Sequence, residues 1–276
     1  MTFLGVFTLW LEEKEMGGRP DAQRVARRLA AVARRVIEGA GIAPGDRVID
    51  IGSGTGALAL AAADLGAHVV GVDVDGPALA RAAALARSLP APVRHLTSDA
   101  RALPVGDATF DVAVHRSVLV YMEDRERAVG EELRVLRPGG RVSCSESLGG
   151  DLDLETEDRG IGRVWDGGLR EILLGTPDAL TLTAAGLEGL YERAGFGDVS
   201  ATAVPLRVSL DSVDAVARAF TVAPPSGLSA RERWLRAGLA AGLLDEFLAR
   251  LTMEAESGRS ATLIASEGYL TARARS

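Results

Sequence analysis

Residues 48–56 read Val-Ile-Asp-Ile-Gly-Ser-Gly-Thr-Gly, an apolar strand that runs directly into a glycine-rich turn. The strand ends at Ile51. Gly52 permits a tight reversal, and Gly54 lets a ligand approach the main chain where a Cβ would stand in the way. A helix expected over 55–65 would then present its free N–H groups and positive dipole end to that ligand. A second apolar strand, Val69 to Val72, ends at Asp73, a carboxylate placed to accept hydrogen bonds from a ribose. Gly54 and Asp73 are 19 positions apart in the chain, near the ~20 typical of a nucleoside-binding strand–helix–strand unit.

The glycine pattern by itself is ambiguous. Gly52-x-Gly54-x-x-Ala57 also satisfies the dinucleotide fingerprint, so an NAD(P) oxidoreductase is a competing reading. Three neighbouring features favour another. Asp50 lies inside the strand, two residues before Gly52. Ser98-Asp99-Ala100 follows a third strand, Val93 to Thr97, and brings a second acid to the same rim. Leu136-Arg137-Pro138-Gly139-Gly140 closes a helix and opens a further strand. The sole lysine, Lys14, leaves no Tyr-x-x-x-Lys hydride-transfer set.

Together, Asp50-Ile-Gly-Ser-Gly-Thr-Gly56, Val72-Asp73-Val74, Ser98-Asp99-Ala100, Phe110-Asp111-Val112 and Arg137-Pro-Gly-Gly140 resemble a class I S-adenosylmethionine-dependent methyltransferase. The likeness is to the small-molecule group that includes ubiquinone and menaquinone methyltransferases. It covers roughly 44–148, with weaker support around 183–208. The resemblance implies a Rossmann-like α/β fold: a doubly wound, seven-stranded, mostly parallel sheet with an antiparallel last strand and helical cap insertions. It implies S-adenosyl-L-methionine as cofactor, with S-adenosyl-L-homocysteine as product. Gly52, Ser53 and Gly54 would contact the methionine and sugar through the backbone, and Asp50 would orient the turn or the amino group. Asp73 would take the ribose hydroxyls, or else cap the next helix. Val74 would pack on the adenine, Asp99 would accept from its amino group, and the Ala100 N–H would meet the ring.

Catalytic candidates are less sharply drawn, because methyl transfer from a sulfonium needs little beyond alignment of the acceptor with the methyl and sulfur. Where the acceptor carries a proton, a base must remove it. His115, at the end of the fourth strand, is read as facing the crevice. It is a candidate base, or else it lies under the methionine part as packing and counts among the cofactor contacts. Tyr121 in the following loop could orient an acceptor, and Glu146 near the end of the fifth strand is a third candidate. Position 115 onward reads His-Arg-Ser-Val, without the Asn/Asp-Pro-Pro-aromatic motif of nucleic-acid N-methyltransferases. The carboxylate cluster of metal-dependent catechol enzymes is missing too, so no metal is expected.

The rest of the chain sets bounds. At 276 residues, one domain with additions is expected: an N-terminal arm and helix over 1–43 as a cap, then a methyltransferase domain over 44–276 with cap insertions at 149–182 and 209–260. Net charge is −7 and the 30 arginines are dispersed among acids, which argues against a nucleic-acid partner. One cysteine, Cys144, excludes an internal disulfide. Residues 1–11 are apolar but lead into Glu12-Glu13 without a basic start, so neither a signal peptide nor a membrane span is expected, and the cytoplasm is the default location.

Strands are expected at 48–51, 69–72, 93–97, 110–114, 141–147, 198–208 and 261–273, with helices at 21–39, 55–65, 76–88, 124–136 and 183–195. Asp21 is the expected N-cap of the first helix, and Val25, Leu29, Val32 and Val36 are its apolar stripe. In 209–260, Ser229-x-x-Glu232 is a capping box, followed by Leu235, Leu239, Leu243, Phe247 and Leu251 at four-residue steps. That stripe could pack as core, line a hydrophobic substrate pocket, or pair two chains as a homodimer. The function expected is metal-independent methyl transfer to O, N or C of a small hydrophobic metabolite, in bacterial secondary or quinone metabolism. The alternative is a cofactor-binding protein that transfers no methyl, such as a cyclase or a regulator.

Overall fold

The computed structural model describes residues 22–87, 93–122, 124–170, 182–221, 229–236, 238 and 240–275. The N-terminal arm and the Asp21 cap lie outside these residues, as does most of 171–182. Seven strands form one sheet: β1 (Arg47–Ile51), β2 (His68–Asp73), β3 (Val93–Thr97), β4 (Phe110–Arg116), β5 (Leu136–Glu155), β6 (Phe196–Leu210) and β7 (Ala261–Ala274), in the order β3-β2-β1-β4-β5-β7-β6. The pairs β1–β2, β1–β4, β2–β3 and β4–β5 are parallel, and β7 is the antiparallel strand of an otherwise parallel sheet. Strand order reverses between β1 and β4, and the crevice at the carboxyl ends of such a pair is where open α/β sheets bind ligands.

The helices are α1 (Ala22–Ala40), α2 (Ala57–Asp64), α3 (Gly76–Ala86), α4 (Arg125–Val135), α5 (Arg159–Val164), α6 (Ala184–Ala194), α7 (Val213–Phe220), α8 (Ala230–Arg236) and α9 (Ala241–Glu256). The chain divides into two compact units. The first comprises residues up to Glu146, Ala184–Thr202 and Gly268 onward, and the second comprises Ser147–Thr183 and Ala203–Glu267.

In the first unit, α1 and α2 cover one face of β1 and β4. Ala33, Val36 and Ala40 of α1 and Leu58, Ala59 and Ala62 of α2 pack with Val48, Val112 and Val114. α1 is thus part of the sheet's own covering layer, and Arg35 ties it down by donating to Thr202 Oγ1 at 2.9 Å and lying over the Tyr269 ring. The opposite face of β4 carries Ala113 and His115 and meets α4 and α6. β5 is longer than the expected 141–147. Leu136 already pairs with Phe110, and Arg141 pairs with Val112, so Arg137–Gly140 bulges out of the ladder with Gly139 at φ 74°.

The second unit has its own core of Trp165, Phe220, Leu244, Phe247 and Leu251. Trp165 stacks on Phe247 at 6.1 Å, and Phe220 meets Phe247 edge-on at 5.8 Å. The capping box forms: Ser229 N–H donates to Glu232 Oε2 at 2.7 Å, and Glu232 N–H donates to Ser229 Oγ at 3.2 Å. The single long stripe does not. α8 ends at Arg236 and Gly238 takes φ 90°, so α9 starts afresh at Ala241. Its buried face is Leu244, Phe247, Leu251 and Ala255, while Leu243 is exposed. A left-handed glycine resets the helical phase, and a stripe counted across it loses its meaning.

Candidate functional site

The carboxyl ends of β1 and β2 carry the glycine turn and its two acids. Gly52 and Gly54 take φ 64° and 54°, a region that penalises any Cβ. A Cβ on Gly52 would overlap Val118 Cγ2, so this glycine admits the turn after β4. A Cβ on Gly54 would stand 3.9 Å from Asp73 Oδ2, in the space in front of that carboxylate. Ser53 N–H continues the sheet pattern by donating to Val72 O at 2.9 Å.

Asp50 and Asp73 divide the work of holding this turn. Asp50 is buried, and its Oδ2 accepts from Ser53 Oγ at 2.8 Å and from Ala59 N–H at 3.0 Å. It therefore fastens the turn to α2 from beneath. Burial raises its pKa to about 7, against these two bonds. Asp73 accepts from Gly54 N–H at 2.7 Å on Oδ2 and from Asp75 N–H at 2.9 Å on Oδ1. Asp75, not Asp73, caps α3, by accepting from Ala78 N–H at 2.9 Å. An ionised carboxylate offers about four lone-pair sites, so Asp73 keeps acceptor capacity.

Thr55, in the same turn, is buried, and its Oγ1 has no hydrogen-bond partner. A buried hydroxyl without a partner costs about 1–3 kcal/mol. Val74 beside Asp73 is 70% exposed. Across the rim, Asp99 is held by Arg101, which donates from Nε to Oδ1 at 3.0 Å and from Nη2 to Oδ2 at 2.6 Å. These bonds hold the Asp99 pKa down to about 2. Ala100 is buried next to it.

The three catalytic candidates separate. Tyr121 is 57% exposed, at the end of a 3-10 turn over Leu119–Tyr121. His115 and Glu146 are 2% and 0% exposed. His115 is on the α4/α6 side of β4, away from the expected crevice-facing position, with Nδ1 3.0 Å from Glu146 Oε1 and Nε2 2.8 Å from Tyr191 OH. Both ring nitrogens are engaged, which leaves neither for an acceptor's proton.

Thr55, Val118, Glu132 and Tyr191 were not singled out by the sequence reading. One signal was available: Glu132 falls on the face of α4 that also carries Ala128, Val129 and Val135, all buried. A carboxylate on an apolar stripe requires an interior partner.

Among the described residues no group of three His, Cys, Asp or Glu is arranged to hold a metal ion, and no helix is long and apolar enough to cross a membrane.

Comparison with known proteins agrees with this geometry. The family described as "Methyltransferase domain" matches residues 49–144. A demethylmenaquinone methyltransferase of Thermus thermophilus is 42% identical over 102 residues, which is 36% of this chain and 46% of that protein. The chain spans less than half the length of the curated relatives it matches. Among solved structures, a Bacillus halodurans C-125 protein named as a candidate methyltransferase superposes with TM-score 0.57 at 16% identity, over 89% of this chain and all of that one. The cyclase SpnF does so with TM-score 0.54 at 25% identity, over 94% of this chain and 84% of that one. The family match is confined to residues 49–144, and over them the strand order and the glycine turn are those of a methyltransferase-type domain.

Proposed function

We propose that the chain is a methyltransferase that takes S-adenosylmethionine and methylates O, N or C of a small hydrophobic metabolite without a metal. The observation that carries this reading is the turn at 52–54, where Asp73 and the bare Gly54 stand side by side at the carboxyl ends of β1 and β2. These residues fit the cofactor. Asp73 would accept from the ribose hydroxyls, and the Gly52–Gly54 backbone with Thr55 would meet the sugar and methionine. Val74 would cover the adenine. Asp99 would accept from the adenine amino group on a lone pair that Arg101 leaves open, with Ala100 N–H on the ring. When bound, the cofactor supplies a methyl already activated by positive sulfur. The protein's part is to orient the acceptor in line with it and exclude water. Tyr121 is the side chain best presented to contact the acceptor. The segments 149–182 and 209–260, outside the family match, would set acceptor choice. The small hydrophobic acceptor is suggested by the Thermus relative, which is named for a quinone substrate.

The test is calorimetric titration with S-adenosylmethionine, S-adenosylhomocysteine and NAD(H), followed by detection of S-adenosylhomocysteine formed with a panel of quinone, phenol and amine acceptors. Ligand at 100 times its Kd should stabilise the fold by about 2.7 kcal/mol. Binding of both sulfur nucleosides with turnover supports the reading. Binding of both with no S-adenosylhomocysteine from any acceptor favours the non-transferring alternative, which the likeness to a cyclase makes concrete. Binding of NAD(H) alone overturns both.

A further inference from the structure

We infer that Glu146 and His115 form a positioning device that fixes the turn after β4, and that neither acts as the base. The inference deepens the proposed function and rests on it for its catalytic part.

Glu146 Oε1 accepts from Val118 N–H at 2.8 Å and Leu119 N–H at 3.0 Å, and Oε2 accepts from Val120 N–H at 3.0 Å. Three successive amides at the start of the 3-10 turn thus converge on one buried carboxylate, which satisfies donors that would otherwise be orphans. His115 Nδ1 supplies a fourth donor. Oε1 is thus filled and Oε2 is buried against Val120 N–H, so the carboxylate is spent on the turn rather than presented to a substrate.

The turn held this way does two things. It sets Val118 against Gly52, and it carries the exposed Tyr121, whose N–H donates to Val118 O at 3.1 Å. Ser117 enters it at φ 55° and is tied to β5 by donating to Ser145 O at 2.8 Å. Strain at a non-glycine residue persists only where its surroundings over-determine it.

His115 backs the clamp. Tyr191 OH donates to Glu132 Oε2 at 2.7 Å, so its oxygen is left to accept a hydrogen bond from His115 Nε2 while Nδ1 donates to Glu146. The ring then carries both protons. Burial works against that charge, but Cys144, Glu132 and Glu146 around it hold the pKa well above the ordinary histidine range. The groups facing the ring are Glu146 and Cys144 on β5, Glu132 on α4 and Tyr191 on α6. A proton held so firmly is unsuited to acid–base exchange near neutral pH.

The experiment compares His115→Asn, His115→Ala and Glu146→Gln. Asn keeps a donor toward Glu146 and does not titrate. His115→Asn should stay within about threefold of wild-type kcat/KM with an unchanged pH profile, while His115→Ala and Glu146→Gln lose about tenfold or more. If His115→Asn is as inactive as His115→Ala while both still bind S-adenosylhomocysteine, the ring is the base and the inference falls. A second readout needs no cofactor: in ligand-free protein, hydrogen exchange at Leu119 and Val120 should quicken tenfold or more in Glu146→Gln while α2 amides keep their rates. Unchanged exchange sinks the clamp. Quickened exchange in a protein that binds no sulfur nucleoside leaves the clamp standing and removes the proposed function instead.

Discussion

Two turns leave the carboxyl ends of the adjacent strands β1 and β4, and they are built on opposite plans. The glycine turn after β1 is open: Thr55 Oγ1 has no partner, Asp73 keeps acceptor sites, and Val74 stands in solvent. The turn after β4 is closed: a buried carboxylate that accepts from three of its amides, backed by an imidazole with both nitrogens engaged, anchors it from below. Unsatisfied polar groups destabilise a lone protein, and a ligand or a water that completes them removes that cost. Satisfied buried networks rigidify the elements they touch. Under the proposed function the contrast gives recognition to the first turn and placement to the second, with the approach of Val118 to Gly52 as the joint between them.

That joint is where the largest effect is expected. Gly52→Ala puts a Cβ into Val118 and asks alanine to adopt φ 64°. Overpacking costs about 1–3 kcal/mol and the left-handed backbone about 1–2 more. Urea unfolding should show a loss of about 3 kcal/mol, and Gly52→Ala with Val118→Ala should recover the steric share. If the double variant is no better than the single, the two turns are not joined at this contact.

Next in size is Asp73→Ala. A hydrogen bond to a charged group contributes about 1.5–3 kcal/mol, so cofactor affinity should fall tenfold or more while the fold keeps most of its stability. An unchanged Kd would take the ribose role away from Asp73.

Asp50 offers a smaller effect with a definite sign. Its pKa is raised from 3.8 to about 7 by burial. Folded protein therefore holds a proton that the unfolded chain releases, and the stability linked to it is full below the lower value. It declines as pH rises through that window and levels off above about 7. The slope reaches at most about 1.4 kcal/mol per pH unit, or about 2 kcal/mol between pH 5 and 7. Asp50→Asn can still accept from Ser53 and Ala59, so the difference between the two proteins should shrink toward acid and widen toward neutral. Urea midpoints at pH 5, 6, 7 and 8 check it. A difference independent of pH would mean that Asp50 does not titrate in this window.

The contrast between the turns also explains what the sequence allowed to be read. The sheet and the glycine turn were legible because their causes are local: apolar runs, left-handed glycines, and acids at strand ends within about twenty residues of one another. The expected strand at 93–97 is β3, and the resemblance to the methyltransferase family supplied the mostly parallel sheet with its antiparallel last strand. The closed turn was not legible. Its partners come from 26 to 76 positions away, and no spacing rule links His115 to Tyr191 at such a separation. His115 was read as crevice-facing because it ends a strand. A one-residue change of side in a strand sends a side chain to the other face, and at an end where the chain is about to turn, neighbours alone do not decide it. In the second unit the capping box was legible and the helix beyond it was not, because the phase was lost at Gly238.

The smallest expected effect tests the open turn directly. Thr55→Val keeps the shape of the side chain and replaces the hydroxyl by a methyl. In free protein that hydroxyl is buried without a partner, so its removal should leave stability unchanged or raise it by up to about 1 kcal/mol. In the complex, the same change should weaken S-adenosylmethionine binding by about three- to tenfold, since a neutral hydrogen bond contributes about 0.5–1.5 kcal/mol. The two measurements move in opposite directions only if the hydroxyl is completed by ligand. Thermal unfolding and calorimetry on one preparation give both. If the variant loses stability while keeping its affinity, Thr55 belongs to the closed class of groups, and the glycine turn's open side narrows to Asp73 and the backbone.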